Sequence, residues 1–123
     1  MGGGAVSERF QGHPRSPSDY NDGVKLTERQ RRHLRGLAHP LKPVILIGNA
    51  GMTDGVVAET ARALHDHELI KVRWAGADRE ARDLGLETLA TRSGSTLVTR
   101  IGHVAVLYKP RPDLPRIVLP AQE

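Results

Sequence analysis

Cysteine is absent from this 123-residue chain, which excludes disulfide bridges, thiolate zinc sites and cysteine nucleophiles together. Aromatic side chains are nearly as scarce, and beyond residue 24 only Trp74 and Tyr108 remain, too few for a platform on which successive bases stack. No apolar span of about 18 residues and no secretory apolar region occurs, so the sequence reads as soluble and cytoplasmic, without a membrane partner. The Met1-Gly2 opening has Val6 where a myristoylation signal requires Ser or Thr. Acids are missing from one region in particular. Between Lys25 and Thr53, Glu28 stands alone against Lys25, Arg29, Arg31, Arg32, Arg35 and Lys42. With a net charge of +4 and a pI near 10, that imbalance points to a polyanionic partner.

Residues 1–24 are rich in Gly, Ser and Pro and offer almost no periodic apolar positions, which predicts a disordered tail. One domain is expected over residues 25–120, followed by a short C-terminal end at 121–123. Thr27-x-x-Gln30 forms a capping box that starts a helix, and Leu34, Leu37, Ala38 and Leu41 repeat as its buried face. Arg31, Arg32 and Arg35 fall on its outward side, and Pro40 stops it near Ala38 or His39. Val44 to Ile47 is a continuous apolar run, expected where both faces of a strand are covered. A second helix, capped by Thr53 and reaching His67, carries Val57, Ala61 and Leu64 as its core stripe. Leu69 to Trp74 is the next strand, with Lys71 and Arg73 pointing outward, parallel to the first because a helix connects them. Asp78 caps a third helix ending at Gly94, with Ala81, Leu84, Leu86 and Leu89 as an irregular stripe and Gly85 costing about 1 kcal/mol inside it. A hairpin follows, Thr96 to Ile101 and Val104 to Tyr108, joined by Gly102-His103 in a type II′ turn. Prolines then end regular structure, with Ile117 to Leu119 packing as an extended tail. The fold class is therefore α/β, in the order α-β-α-β-α-β-β, with a mixed four-stranded sheet.

The chemistry concentrates at Gly48-Asn49-Ala50-Gly51, a loop between the first strand and the second helix. Backbone N–H groups at such a junction favour an anion. A Walker loop needs lysine after its last glycine and a dinucleotide fingerprint needs Gly-x-Gly-x-x-Gly, and both spacings fail here. His65 and His67 stand two apart and cannot both face one ion on a helix, so they are read as partners of the helix C-terminus and no metal is expected. Glu68 is a lone carboxylate without a second catalytic group at a telling spacing, which argues against general acid–base chemistry. What remains is a KH-like Gly-x-x-Gly clamp on a nucleic-acid backbone. Gly48 and Gly51 shape the loop and Asn49 and Ala50 face the sugar-phosphate. The N–H groups through Met52 and Thr53 bind phosphate oxygens, with Lys42, Arg31, Arg32 and Arg35 as further phosphate contacts.

Leu34-x-x-Leu37-Ala38-His39-Pro40-Leu41-Lys42-Pro43-Val44, followed by Ile47-Gly48-Asn49-Ala50-Gly51-Met52-Thr53-Asp54-Gly55-Val56, resembles the CRM domain, most closely the free-standing bacterial YhbY family. His67-Glu68-Leu69-Ile70-Lys71-Val72 and the hairpin extend the match over about Leu26 to Pro120. The resemblance implies a fold similar to the C-terminal domain of translation initiation factor three and a Gly-x-x-Gly loop that contacts RNA. It also implies association with precursor large ribosomal subunits in their maturation, and the reading as a whole is a non-enzymatic, cofactor-free RNA-binding protein, expected as a monomer, that assists their assembly. Two alternatives stand beside it: a protein-interaction module docking on ribosomal proteins through the apolar C-terminal segment, and an intron-splicing cofactor. A small phosphate-ligand enzyme is a third class, set apart by nucleotide turnover.

Overall fold

Helix α1 (Glu28–Ala38) starts at the capping box. Gln30 N–H donates to Thr27 Oγ1 and Thr27 N–H donates to Gln30 Oε1, both at 3.1 Å, an arrangement that stabilises a helix start by about 1 kcal/mol. His39 N–H still reaches Arg35 O at 3.0 Å, and Pro40 ends the helix. The computed structural model describes residues 25–76, 78–113 and 115–120; the tail expected over residues 1–24 and the end at 121–123 lie outside the described residues.

The remaining elements follow in the expected order: β1 (Pro43–Ile47), α2 (Asp54–His67), β2 (Leu69–Trp74), α3 (Arg79–Ser93), β3 (Thr96–Ile101) and β4 (Val104–Tyr108). The four strands form one sheet in the spatial order β1-β2-β4-β3, with β1 and β2 parallel and the other pairs antiparallel. Gly102 has φ +60 in the hairpin turn while His103 has no positive φ, as a type II′ turn requires.

Alternation along the strands sorts side chains onto two faces. Ile70, Val72 and Trp74 of β2 join Ile45, Ile47, Ala105 and Leu107 on the face covered by α2 and α3, where Leu64, Leu86 and Leu89 close the core. Leu69, Val106, Tyr108 and Val98 face the other way and pack on Leu34 and Ala38 of α1. Complete burial of leucines such as Leu34, Leu64 and Leu89 contributes about 2 kcal/mol each.

The expected stripes are corrected in three places. On α1, Leu34 and Ala38 are buried but Leu37 and Leu41 stay about two-fifths exposed. On α2, Thr60 lies inside, satisfied by donating to Val56 O at 2.7 Å, and Ala61 faces solvent. On α3, Leu86, Leu89 and Ala90 are buried, whereas Ala81 and Leu84 are exposed. Gly85 turns inward there: a Cβ would fall inside the van der Waals envelope of the Trp74 ring, so the glycine is the space the indole occupies.

One further correction concerns β1, expected to be covered on both faces. Ile45 and Ile47 are buried, but Val44 and Leu46 are 48% and 72% exposed. The reason is coverage. Among the described residues two helices lie on one face and one on the other, and α1 crosses only part of it.

Glu68 anchors the C-terminal segment. It sits at the C-cap of α2 with φ 65, fully buried. Its Oε2 accepts from Arg111 N–H at 2.7 Å, and its Oε1 accepts from Arg116 and Ile117 N–H at 2.8 and 2.9 Å. Burial pushes its carboxyl up, but the three N–H donations and the Arg111 charge outweigh that, and the net shift is below the ordinary value. Burial, with the Glu68 charge in second place, holds the neighbouring Tyr108 phenol above its usual range.

Candidate nucleic-acid interface

Three connections meet at the end of the sheet where β1 and β2 finish. Ala75 N–H donates to Ile47 O at 3.0 Å, and Trp74 N–H donates to His103 O at 2.8 Å. The loop Gly48 to Gly51, the connection after β2 and the Gly102-His103 turn are thereby tied together at the carboxyl ends of the parallel strands, where open α/β sheets place their ligands.

Within the loop, Gly51 N–H donates to Gly48 O at 3.0 Å, closing a four-residue turn, and Gly51 adopts φ +73, a conformation that glycine takes without strain. Gly48 is different. Its φ is not positive and an added Cβ would meet no atom of the described residues within 4 Å. Asn49 Oδ1 lies 2.5 Å from where a Cβ of Gly76 would stand, and Gly76 has φ +90, so the asparagine side chain leans on the neighbouring connection. Asn49 and Ala50 are both exposed.

Helix α2 begins immediately beyond. Thr53 Oγ1 accepts from Val56 N–H at 3.1 Å, and Thr53 O accepts from Val57 N–H at 3.0 Å. The N–H groups of Asp54 and Gly55 have no acceptor among the described residues, and they form the positive end of the helix beside the loop. Asp54 opposes an anion there, and Arg92 Nη2 offsets it at 2.8 Å. Met52 is half-buried against the core below the turn.

The basic residues are spread more widely than their closeness in sequence suggests. Lys42 is exposed at the opposite end of β1 from Gly48, five strand residues or about 17 Å away, and makes no ion pair among the described residues. Arg31 donates through Nη1 to Leu97 O at 2.9 Å and to Val98 O, which pins α1 to β3. Arg35 lies 3.7 Å from Glu28. Arg32 is exposed and has no ion pair or side-chain hydrogen bond among the described residues. The loop therefore lies at the carboxyl end of β1, whereas Lys42 lies at its start and Arg31 is tied to the first half of β3.

Sequence reasoning missed a group that the sheet brings beside the loop. Leu46, Arg73, Val104 and Ile101 stand opposite one another across all four strands on the α1 side. Leu46 and Ile101 are 72% and 73% exposed, and Arg73 is exposed as well. The outward position of Arg73 was readable from alternation in β2, but its neighbours were not. Among the described residues the two aromatic side chains, Trp74 and Tyr108, are buried in the cores and offer no stacking surface. Among the described residues no group of three His, Asp or Glu side chains could hold a metal ion, and no helix is long and apolar enough to cross a membrane.

Known proteins resemble this chain in sequence and in fold. An RNA-binding protein of Haemophilus influenzae is 45% identical over 95 residues, covering 77% of this chain and 95% of that protein. A probable RNA-binding protein of Pseudomonas aeruginosa is 45% identical over 89 residues, covering 72% and 86%. The solution structure of a hypothetical protein from Staphylococcus aureus superposes with a TM-score of 0.68 at 33% identity, covering 78% of this chain and all of that one. The family model of the CRS1/YhbY (CRM) domain matches residues 26–109, which hold all seven elements and the loop. The chain belongs to the CRS1/YhbY (CRM) domain family.

Proposed function

We propose that the protein binds RNA, with the Gly48 to Gly51 loop against the sugar-phosphate backbone, and that its RNA is that of the precursor large ribosomal subunit. The observation that carries the reading is Gly48. Nothing among the described residues requires glycine there, since its φ is not positive and a Cβ would meet none of their atoms. A glycine without an internal reason, at the mouth of a helix N-terminus, suits the close approach of an external backbone. The names of the relatives as RNA-binding proteins agree with this.

Asn49, Ala50, Met52 and Thr53 present the backbone N–H groups of the loop, and Arg32, Lys42 and the free edges of Arg31 and Arg35 contribute charge along the rest of the RNA path. No group is assigned to catalysis, and the protein acts by binding. In the alternative of protein docking through the apolar C-terminal segment, Ile117 and Leu119 are partly buried against the α1 core and Val118 is exposed among the described residues.

Ultraviolet crosslinking in cells tests the ribosomal part. Reads concentrated in precursor large-subunit RNA are expected. Reads spread over messenger RNA without ribosomal enrichment would contradict it.

A further inference from the structure

We propose that the uncovered half of the sheet, on the face that α1 crosses, is a platform for the bases of a single-stranded RNA whose backbone the Gly48 to Gly51 loop holds; this rests on the RNA-binding reading above. The platform is the row Leu46, Arg73, Val104 and Ile101. Their pairing places Leu46 against Arg73, Arg73 against Val104 and Val104 against Ile101, so the row crosses the sheet over about 14 Å, three interstrand spacings. Helix α1 stops short of it: Lys71 Nζ donates to His39 O at 3.1 Å and marks the edge of its cover. Beyond that edge Leu46 and Ile101 are nearly three-quarters exposed, an unusual pair of large aliphatics on one open sheet face.

The occupant follows from charge and continuity. Arg73 sits in the middle of the row without an ion pair or side-chain hydrogen bond among the described residues, and the row contains no acid. An apolar protein surface laid over this face would bury an unpaired guanidinium, which is costly. A nucleobase does not impose that cost. Its flat face covers aliphatic carbon and stacks on a guanidinium plane, its edge offers oxygen and nitrogen acceptors to Arg73, and its backbone is anionic. Gly48 follows Leu46 by two residues, so an RNA strand held at the loop has its bases within reach of the row.

The test uses the full chain, a fluorescein-labelled single-stranded RNA dodecamer of mixed sequence, and its abasic ribose-phosphate counterpart. Leu46→Thr with Ile101→Thr keeps strand-forming residues at exposed positions, and an unchanged melting temperature verifies the fold. The double variant is expected to weaken binding of the RNA by at least about fivefold, the low end of a base-stacking contribution, and to leave binding of the abasic strand unchanged. Arg73→Lys keeps the charge but loses the plane, and is expected to show the same selective loss. Equal losses on both strands, or no loss on either, would overturn the platform. The loop variant Asn49→Asp with Ala50→Asp is the control, because its effect on both strands reports on the backbone clamp alone. RNA binding lost by the loop variant but untouched by the row variants would reject the platform and leave the RNA-binding reading standing. Row variants that bind both strands normally yet no longer associate with ribosomal particles would assign the face to a protein and reject the platform.

Discussion

Gly48 and Gly51 differ in kind although they close the same turn. Gly51 is held at φ +73, so Gly51→Ala should destabilise the fold by about 1 kcal/mol through backbone strain. Gly48 has no such constraint, and Gly48→Ala should leave the melting temperature unchanged or slightly raised, by the equivalent of about 0.4–1 kcal/mol, because alanine narrows the unfolded ensemble. Its RNA affinity should nevertheless fall about tenfold, or about 1.4 kcal/mol. Thermal unfolding and fluorescence anisotropy on the two variants check this, and a Gly48→Ala protein with full affinity would remove the reason offered for that glycine. The loop was legible in sequence because two glycines three apart between an apolar run and a capped helix mark a junction. The difference between the two glycines was not legible, because it depends on a φ angle and on empty space.

Among the elements, helix boundaries were readable and helix faces less so. Thr27, Thr53 and Asp78 all cap as their side-chain chemistry predicts. The stripes of α2 and α3 were misread because a satisfied Thr60 and the half-buried Gly85 occupy positions that apolar periodicity assigns to larger aliphatic residues. Gly85→Ala improves helix propensity by about 1 kcal/mol but drives a methyl into Trp74, and overpacking of about 1–3 kcal/mol should win, lowering the melting temperature. Glu68 offers a test of opposite sign to habit. Glycine normally suits a residue with positive φ at a helix end, yet Glu68→Gly should destabilise by about 2 kcal/mol, because three N–H groups of the C-terminal segment lose an ionised acceptor. The carboxyl is lowered from its ordinary 4.5, so its contribution is fully present above that value and is lost as pH falls through the lower folded value. Acid unfolding of the wild type should therefore include a step that the glycine variant lacks, seen as a flatter dependence of melting temperature on pH below 4.5.

At the scale of the whole molecule, one helix on one face and two on the other decide what is exposed. A helix with its side chains is about 10–12 Å across, whereas strands of five or six residues run about 17–20 Å, so α1 alone cannot cover its face. The sequence supplied the element order and the four strands, because turn chemistry and periodicity are local. It could not supply the open row of Leu46, Arg73, Val104 and Ile101, because those residues meet only through register. Nor could it show that Arg31 turns inward to donate to Leu97 O and Val98 O, because that contact joins residues far apart in the chain.

The proposed clamp of the loop on an RNA backbone is open to direct measurement. Asn49→Asp with Ala50→Asp places two negative charges in the turn while preserving the shape of the side chain that leans on Gly76. Titration of a single-stranded RNA at several salt concentrations, with melting temperature as the fold control, measures the consequence. An affinity loss of at least about tenfold at low salt, a shallower slope of log K against log salt, and an unchanged melting temperature are expected. Undiminished affinity with an unchanged slope in a folded double variant would contradict the clamp.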